Sequence, residues 1–381
     1  MRLRQKIASY LEDPLVERMW SAFRGAGPMR SVSIDITHRC NLRCKGCYFF
    51  AESMDDAGEA DDDRLHAFIA SERERGITFA TVLGGEPSLV PKRLKALASA
   101  FRLMVVTNGL RSIPQEGLEE IAIAVSMWGD RANDRALRGY GKIDLFDRAL
   151  DNFARDRRAR WYITLPPAPS DDTVEVVDRC VAQGHLVGFN YYGDLAHLGD
   201  TFDHRIGFAA ARDFVDRMID RHPGAILTTR YLNKVVTSGE MMGQRWGYGV
   251  CGSISVDAPQ NAERLQNGNS YNPFFNAYGP DLTAPRRCCV GESRDCATCF
   301  DVWAHLSWVA MAIEKHVASA DHFFDWLSTM VVFYGACGFI DDTQFRALLP
   351  QIAERSRSLD DPRSLPPDCP AFPSPYPAVP A

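Results

Sequence analysis

The stretch that decides the fold is SVSIDITHRCNLRCKGCYFF, residues 31–50. Its first part, SVSIDIT, reads as a buried β-strand. Three cysteines follow this strand closely, Cys40, Cys44 and Cys47, with the spacing C-x3-C-x2-C. A disulfide needs paired cysteines, and a structural zinc site usually needs four ligands. Three thiols at the end of a strand therefore indicate a metal site with one position left open, and the alternative is a zinc ion completed by His38.

The same strand begins a run in which apolar strands alternate with helices. The helices carry apolar residues at helical spacing, such as Leu65, Phe68 and Ile69 in the first of them. Six strand–helix units with nearly continuous apolar strands predict a parallel sheet buried on both faces, either doubly wound or an incomplete barrel. The predicted strands are 31–37, 79–85, 103–109, 122–129, 161–167 and 186–193, and the predicted helices are 60–76, 91–101, 143–158 and 171–184.

Polar and glycine-rich segments fall at one end of these strands. Cys40 follows the first strand, the sequence GGEP at 84–87 ends the second, Asn108 ends the third with its neighbours Thr107 and Gly109, and Ser126 lies near the end of the fourth. In parallel α/β folds the chemistry belongs at the carboxyl ends of the strands. We therefore expect these residues to share one functional edge of the sheet.

Two motifs at this edge resemble those of the radical S-adenosylmethionine (SAM) superfamily. Cys40, Cys44 and Cys47 match its CxxxCxxC signature, and residues 84–87 match its GGEP motif. The resemblance covers about residues 30–200 and implies an α/β fold with a partial (β/α)6 TIM-like barrel. It also implies a [4Fe–4S] cluster whose open iron is chelated by SAM. Reductive cleavage of SAM then gives methionine and a 5′-deoxyadenosyl radical, which abstracts a hydrogen atom from the substrate.

The resemblance assigns the GGEP residues Gly84, Gly85, Glu86 and Pro87 to SAM binding. Glycines let backbone carbonyls approach the SAM ammonium group closely, and Glu86 would add charge there. The family usually carries an aromatic residue directly before the third cysteine, where it meets the adenine. This chain has Gly46 at that place, so adenine packing falls to Tyr48 or to the backbone alone.

Three further residues are candidates for SAM contacts. Ser126 resembles the fourth-strand serine that contacts SAM in relatives that act on peptides and small metabolites. Arg138 either pairs with the SAM carboxylate or lies on a solvated helix face. Asn108 either contacts SAM or acts as a turn residue, because Asn-Gly is a favoured turn pair.

A second group of cysteines follows the predicted barrel, in a segment otherwise short of regular structure. A CxxC pair would bring two thiolates onto one metal, and the other members would supply the remaining ligands. The group looks like the auxiliary-cluster extensions, of the twitch or SPASM-like kind, that follow the barrel in many radical SAM enzymes. It predicts an auxiliary [4Fe–4S] cluster, with structural zinc or no metal as alternatives, and one cysteine is left over. The members are Cys251, Cys288, Cys289, Cys296 and Cys299.

The remaining sequence gives the predicted domain organisation. Within the linker, AILTTRYLNKVV (225–236) is predicted to be extended and 241–285 to be a long irregular loop. Cys180 and Cys337 lie in apolar surroundings and are assigned to the core. The predicted order is an N-terminal helical segment (1–30), the radical SAM barrel (31–200), a linker with the auxiliary cluster (201–310), C-terminal helices (311–360) and a Pro-rich tail (361–381).

Composition narrows the classes of function and partner. The net charge is −6, so the sequence shows no excess of positive charge that would indicate nucleic-acid binding. The longest apolar run, 326–340, has 15 residues, short of the roughly 20 that a membrane span needs. No signal peptide is recognisable, so we expect a cytoplasmic protein. In a reducing compartment, 11 cysteines indicate metal or redox chemistry rather than disulfides.

The predicted function is a radical SAM enzyme acting on a small metabolite, in natural-product or cofactor biosynthesis, with reducing electrons from a flavodoxin or ferredoxin type of donor. A peptide substrate is the less favoured alternative. Radical SAM enzymes that modify peptides often carry a small winged-helix peptide-recognition domain before the barrel, and the roughly 30 residues that precede the barrel here are too few for one. Transfer of a SAM-derived fragment and a non-catalytic redox sensor are further alternatives. No residue is assigned a catalytic role, although several near strand ends could position substrate: Trp128, Asn190, Tyr192, Asp194, His197 and Arg230.

Overall fold

The structure is a computed structural model, and within it a single sheet organises the described part of the chain. The described residues are 3–45, 47–51, 53–56, 58–139, 144–191, 208–237, 251–266, 272–289 and 302–357. The strands of the sheet are β1 Ser31–Asp35, β2 Phe79–Leu83, β3 Arg102–Thr107, β4 Ala122–Trp128, β5 Ala159–Leu165, β6 Leu186–Tyr191, β7 Ala277–Tyr278 and β8 Pro285–Arg286.

The sheet has the order β6-β5-β4-β3-β2-β1-β7-β8. Strands β1 to β6 are parallel to their neighbours, as the strand–helix alternation predicts. Strand β7 adds to the free edge of β1 in parallel, and β8 pairs with β7 in the antiparallel sense. All six strands predicted from the sequence are confirmed, with ends that differ by a few residues.

The sheet curves around a cavity, which distinguishes an incomplete barrel from a doubly wound sheet. Alternate residues of strands β1 to β5 face this cavity, among them Ser33, Thr81, Met104, Ala124 and Tyr162, and residues 189–191 of β6 also line it. A doubly wound sheet has helices on both faces, whereas a barrel turns every second side chain of each strand inward. The partial barrel implied by the two motifs is therefore the fold of this chain.

The helices follow the strands and carry predictable start signals. Asp13, Asp61, Asp130 and Asp144 each precede a helix, and each side chain accepts a hydrogen bond from the first-turn backbone. None of the helices that the structure describes is long and apolar enough to cross a membrane. The helices are α1 Leu3–Tyr10, α2 Pro14–Ala26, α3 Tyr48–Ala51, α4 Asp62–Glu74, α5 Pro91–Ala98, α6 Arg131–Arg138, α7 Leu145–Phe153, α8 Asp172–Ala182, α9 Ala209–Arg221, α10 Arg230–Thr237, α11 Ala262–Gln266, α12 Val302–Met311, α13 Ile313–His316, α14 Ala320–Ala336 and α15 Asp342–Arg357.

Helix α14 lies beneath the barrel and forms its floor. Arg160, near the start of β5, donates from Nη2 to the Gly335 carbonyl oxygen at 3.1 Å, and Arg102, at the start of β3, donates to the Gly338 carbonyl oxygen. Guanidinium groups at a helix C-terminus satisfy its unpaired carbonyls and complement its dipole. Cys337 packs against the inward side chains of the strands, so its assignment to the core is confirmed.

The floor helix also packs against the N-terminal helix α2 through aromatic side chains. The ring of Phe23 lies 5.5 Å from that of Trp326, and the ring of Trp20 lies 5.8 Å from that of Phe323. Such tilted and edge-on aromatic pairs stabilise an interface beyond the area that they bury. Residues near the two ends of the described chain therefore form one packed unit under the sheet.

The prediction of an extended segment over 225–236 is wrong in its second half. Ile226 does form a parallel bridge to Val187, beside β6. From Arg230 onward the chain is helical, and the Thr229 hydroxyl accepts a hydrogen bond from the Leu232 N–H at the start of α10. The β-branched residues Val235 and Val236 favoured a strand from local preference, and burial of one helix face outweighed that preference.

The prediction of an irregular loop over 241–285 is also wrong in part. Residues 259–266 form a short 3₁₀ turn followed by α11, and 277–278 form β7. The Ser33 N–H donates to the Asn276 carbonyl oxygen at 2.9 Å and so joins this segment to β1. A two-residue strand carries no recognisable periodicity, which explains why the sequence did not reveal it.

We expect stability to fall in weak acid because of His316. This side chain is fully buried and shares a 2.7 Å hydrogen bond between Nε2 and the Tyr231 hydroxyl. Burial lowers its pKa from 6.5 to about 4, although the Ala312 carbonyl favours the charged form. Between these values the unfolded chain binds a proton and the folded chain does not, so stability is lost as pH falls.

The expected loss between pH 7 and pH 5 is about 2 kcal/mol from this group. Urea unfolding of the wild type and of His316→Gln, measured at both pH values, isolates the contribution of His316 to the change in unfolding free energy. The variant keeps a polar group near Tyr231 but cannot titrate, so its pH dependence is expected to be smaller by this amount. Equal pH dependence of the two proteins would contradict the prediction.

Candidate functional site

Cys40 and Cys44 lie on a loop that leaves β1 and is fixed by its backbone on two sides, and Cys47 directly precedes α3. On one side, the N–H groups of Gly85 and Glu86 donate to the carbonyl oxygens of Thr37 and Arg39, at 2.9 and 2.8 Å. On the other side, the Lys45 N–H donates to the Leu137 carbonyl oxygen on α6 at 2.8 Å. The GGEP turn and α6 thus hold the segment 37–45 between them. We call this segment the cysteine loop.

The structure explains on steric grounds why glycine stands at both positions 84 and 85 of the GGEP turn. Gly84 has φ of +118°, a conformation that other residues rarely adopt. A Cβ on Gly85 would overlap the Arg39 carbonyl and lie 2.9 Å from the Cys40 nitrogen. The cysteine loop therefore occupies the space beside Gly85, a role that the motif resemblance did not include.

Glu86 joins the ends of two strands through its buried carboxylate. Oxygen Oε1 accepts hydrogen bonds from the Ser88 N–H at 2.9 Å and from the Thr107 hydroxyl at 2.7 Å. Oxygen Oε2 accepts from the Asn108 N–H at 2.9 Å. Pro87 begins the 3₁₀ turn that Glu86 caps. Both carboxylate oxygens are engaged within the protein, so the structure shows Glu86 as a brace between the GGEP turn and β3.

Asn108 has the features of a turn residue and also contacts the cysteine loop. Its Oδ1 accepts from the Leu110 N–H at 3.0 Å, and Gly109 follows with φ of +82°. Its Nδ2 donates to the Asn41 Oδ1 at 2.7 Å. The turn interpretation is therefore confirmed, and the same side chain orients the segment between the first two cysteines.

The three thiols are part-buried, and burial is the main reason that their pKa values rise. The pKa of Cys40 rises to about 12 and that of Cys44 to about 11, and the pKa of Cys47 is raised as well. The charges of Cys44 and Cys47 add to the rise at Cys40. Three thiolates so close together oppose one another's ionisation unless a cation lies among them. This donor set fits an iron–sulfur cluster.

The arrangement of side chains argues against the zinc alternative. Among the residues that the structure describes, no three or more His, Cys, Asp or Glu side chains converge on one metal position. A zinc ion held by three cysteines and His38 needs four donors at one point. A [4Fe–4S] cube takes each thiolate on a different iron, so its ligands do not have to converge. His38 lies instead 3.4 Å from the Glu59 carboxylate.

Arg138 is buried beside the cysteine loop and not on a solvated face. Its guanidinium donates to the Ser126 carbonyl oxygen, to the Asn108 carbonyl oxygen at 3.1 Å and to the Asp134 Oδ1 at 3.0 Å. It also lowers the pKa of Cys44 by its charge and by a hydrogen bond, against the larger effect of burial. The interpretation of Arg138 as a surface residue is therefore wrong, because three carbonyl or carboxylate groups replace its water.

A second buried charge links the barrel to the segment that precedes the later cysteines. Asp35, at the end of β1, accepts from the Tyr48 hydroxyl at 2.7 Å and lies 2.8 Å from Nη2 of Arg286. Burial raises the pKa of Asp35, and Arg286 and Tyr48 act in the opposite direction. Tyr48 thus lies at the cavity with its hydroxyl tied to Asp35, where its ring remains available for packing.

Three cysteines of the second group come together in the structure. Ile254 and Cys288 form an antiparallel bridge, and the Cys289 N–H donates to the Ser253 carbonyl oxygen at 3.2 Å. The Ser253 N–H lies 3.4 Å from the Cys251 sulfur. Backbone contacts therefore place the segments 251–254 and 288–289 side by side. The other two predicted members, Cys296 and Cys299, lie outside the described residues.

The remaining candidates divide between the cavity and the surface. Ser126, Trp128 and Asn190 line the cavity at the carboxyl end of the barrel. Arg230 pairs with Asp216 and Asp220 on α9 instead. The candidates Tyr192, Asp194 and His197 lie outside the described residues.

Sequence reasoning missed Asp35, Asn41 and Arg286. Asp35 had a usable signal, since a charged residue inside an otherwise apolar strand is costly unless it is paired. Asn41 and Arg286 carried none. Their roles depend on contacts with residues 67 and 251 positions away.

Comparison with known proteins adds distant relatives. No protein-family model matches the chain. The GTP 3′,8-cyclase of Xanthomonas campestris pv. campestris (strain B100) is 24% identical over 282 residues, which cover 67% of this chain and 81% of that protein. The pre-heme d1 synthase of Dinoroseobacter shibae is 27% identical over 132 residues, which cover 32% of each chain.

Solved structures are also similar to parts of the chain. A structure of anSMEcpe with bound AdoMet has 15% identity and a TM-score of 0.42, over 74% of this chain and 84% of that one. A structure of Streptococcus suis SuiB bound to its precursor peptide SuiA has 15% identity and a TM-score of 0.40, over 54% of this chain and 51% of that one.

Proposed function

We propose that the chain is a radical SAM superfamily enzyme. It cleaves SAM at a [4Fe–4S] cluster bound by Cys40, Cys44 and Cys47 and uses the resulting radical to modify a small metabolite. The observation that carries this proposal is the joining of the two motifs in space. The cysteine loop rests directly on Gly85 and is hydrogen-bonded to the GGEP turn. In this proposal the thiols bind the cluster and the adjacent glycine turn binds SAM.

When bound, the cluster and SAM supply a one-electron cleavage that gives methionine and a 5′-deoxyadenosyl radical. The protein's own residues shape the place where this happens. Cys40, Cys44 and Cys47 would each hold one iron of the cluster and would leave the fourth iron for SAM. The buried guanidinium of Arg138 offsets thiolate charge at Cys44 and stabilises the anionic form that binds metal. Ser126 and Tyr48 line the cavity beside the loop and are the proposed contacts for SAM.

We assign Gly84, Gly85, Glu86 and Pro87 a supporting part in SAM binding. They fix the cysteine loop and the end of β3. Backbone carbonyls of the same turn are the proposed acceptors for the SAM ammonium group. Asn108 positions Asn41 on the same loop.

An auxiliary [4Fe–4S] cluster is the proposed role of the second cysteine group. The adjacency of the segments that carry Cys251, Cys288 and Cys289 supports this, and Cys296 and Cys299 are the proposed further ligands. Neighbouring residues of an extended segment point to opposite faces, so Cys288 and Cys289 are alternatives for one cluster position. Structural zinc in place of iron is the competing proposal.

The proposed substrate is a small molecule of a natural-product or cofactor pathway. The relatives named GTP 3′,8-cyclase favour a second candidate, a guanosine nucleotide. A peptide substrate and transfer of a SAM-derived fragment are further alternatives. We propose a flavodoxin or ferredoxin type of electron donor and a cytoplasmic location.

The test is anaerobic reconstitution with iron and sulfide, followed by SAM and dithionite, with 5′-deoxyadenosine measured by mass spectrometry. The wild type is expected to form 5′-deoxyadenosine. The control is the triple variant Cys40→Ala/Cys44→Ala/Cys47→Ala, which is expected to form none. Methylthioadenosine in place of 5′-deoxyadenosine would indicate the altered cleavage. Intact SAM beside a loaded cluster, with all candidate substrates present, would contradict the enzymatic proposal and favour a sensor.

Metal analysis tests the auxiliary site with the same proteins. The wild type is expected to bind about eight irons, as two [4Fe–4S] clusters require, and the triple variant about four. Cys251→Ala in the triple background is expected to abolish the remainder. About one zinc and no iron in the triple variant would replace the auxiliary cluster by a structural zinc site.

A further inference from the structure

The barrel surrounds a cavity of about 690 Å³, which is continuous with the candidate SAM site. Tyr48, Ser126 and Trp128 line it at the carboxyl edge, and Phe333 and Cys337 line it at the floor. Its volume is within the range of about 300–1,000 Å³ that small-molecule sites occupy. Its size and its position beside the candidate SAM site fit a cavity that receives a substrate.

In the described part of the cavity wall, the ionisable lining groups are tyrosine hydroxyls and the thiols of Cys289 and Cys337. None of its lining residues is Asp, Glu, Lys, Arg or His, although such charged residues and histidines are common elsewhere in the sequence. The buried guanidinium groups near the barrel are turned to protein partners instead. Arg138 bonds to Asp134, Arg160 to the Gly335 carbonyl and Arg286 pairs with Asp35.

The chemistry of the wall changes from the rim to the floor. Hydroxyl and amide groups lie on the strands, as at Thr164 and Asn190, and can hydrogen-bond an uncharged oxygen or nitrogen. The floor and the side facing α12 are mostly aromatic and aliphatic, as at Trp326 and Met330, with the hydroxyls of Thr329 and Ser307 among them. A phosphate or carboxylate buried there would lose its water and gain no cation.

We propose that the substrate is an uncharged molecule with an extended hydrocarbon or aromatic body and few polar groups. This rests on the proposed function, because it takes the cavity as the substrate site of the SAM-cleaving enzyme. The described wall supplies no Lys, Arg or His for the phosphates of a nucleoside triphosphate. The apolar body lies toward α14, and the polar end lies toward Thr164 and Asn190.

Binding of two fluorescent probes to the reconstituted enzyme, without reductant, tests the proposal. Phenylnaphthylamine is uncharged, and anilinonaphthalene sulfonate carries a similar aromatic body with one negative charge. The uncharged probe is expected to bind at least about tenfold more tightly, because the sulfonate must lose water without a cationic partner. GTP at millimolar concentration is expected not to displace it.

Cavity variants show whether the probe binds inside the barrel. Ala124 lies on β4 and faces the cavity, so Ala124→Phe fills space there, whereas Ala124→Ser changes volume little. The first is expected to weaken probe binding about tenfold and the second to leave it unchanged. Val106→Phe on β3 is the substitute if Ala124→Phe lowers the thermal unfolding temperature.

Three results would overturn the proposal. These are tighter binding of the charged probe, displacement by GTP, and equal binding of the uncharged probe to the wild type and to the folded filling variant. The radical chemistry is scored separately, since 5′-deoxyadenosine formation needs reductant and this titration does not. A protein that cleaves SAM but binds GTP in the cavity would overturn the substrate class alone. A protein that binds the apolar probe but leaves SAM intact would overturn the proposed function alone.

Discussion

Gly85→Ala is expected to lower 5′-deoxyadenosine formation by about a hundredfold, because a misplacement of about 1 Å near a reacting centre can cost that much. The added methyl group would overlap the Arg39 carbonyl and lie 2.9 Å from the Cys40 nitrogen. Both partners are backbone atoms, which cannot rotate away as a side chain would. The cysteine loop or the GGEP turn must therefore move, and the hydrogen bonds between them at 2.8 and 2.9 Å must lengthen.

The matched control is Gly58→Ala, a glycine in the segment that follows the cysteines. No atom lies within 4 Å of a Cβ built at Gly58, so this variant is expected to match the wild type. Iron content, SAM cleavage and thermal unfolding are measured for both. Lost cleavage with a near-normal unfolding temperature places the effect at the loop. Wild-type cleavage by Gly85→Ala would show that the close packing of the turn on the loop is not needed.

Arg138→Met is expected to destabilise the protein by about 3–5 kcal/mol, the usual result of removing one partner of a buried ion pair. Arg138 and Asp134 are both almost fully buried, and Asp134 also accepts from the Trp128 N–H at 2.9 Å. Burial already raises the pKa of Asp134, with Arg138 acting against it. Without the guanidinium, the carboxylate loses its counter-charge, and the Asn108 and Ser126 carbonyls lose a donor.

Two variants separate this from a general effect of losing a positive charge. Arg135 lies on α6, as Arg138 does, and its exposed side chain pairs with Asp144. Arg135→Met removes this surface pair, and such pairs contribute about 0–1 kcal/mol to stability. The double variant Asp134→Leu/Arg138→Met removes both buried charges and is expected to recover part of the stability. Urea unfolding of the metal-free proteins measures all three. Equal costs for Arg138→Met and Arg135→Met would contradict the burial of the pair.

The elements predicted from the sequence are those whose signal is local. The six parallel strands carried nearly continuous apolar runs, which predicted the fold correctly. The GGEP turn and the cysteines were recognisable as motifs, and they lie at the carboxyl ends of the strands, where they were expected. Strand β7 was not predicted, because two residues show no periodicity. The prediction that Arg138 is exposed was wrong, because exposure was inferred from residue type alone. Its burial depends on Asp134, Asn108 and Ser126 arriving from α6, β3 and β4, and spacing along the chain does not encode that meeting.

The floor of the barrel has a consequence for the order in which the protein matures. The Tyr10 hydroxyl donates to the Val317 carbonyl, 307 positions away, and the apolar face of α2 with Val16 and Met19 is covered by α14. Contacts so distant in sequence form late, because the chain must first close a long loop. During synthesis, strands β1 to β6 and the cysteine loop therefore emerge well before α14 is available. Until α14 has been synthesised, the cavity lacks its floor and the apolar face of α2 lacks its cover.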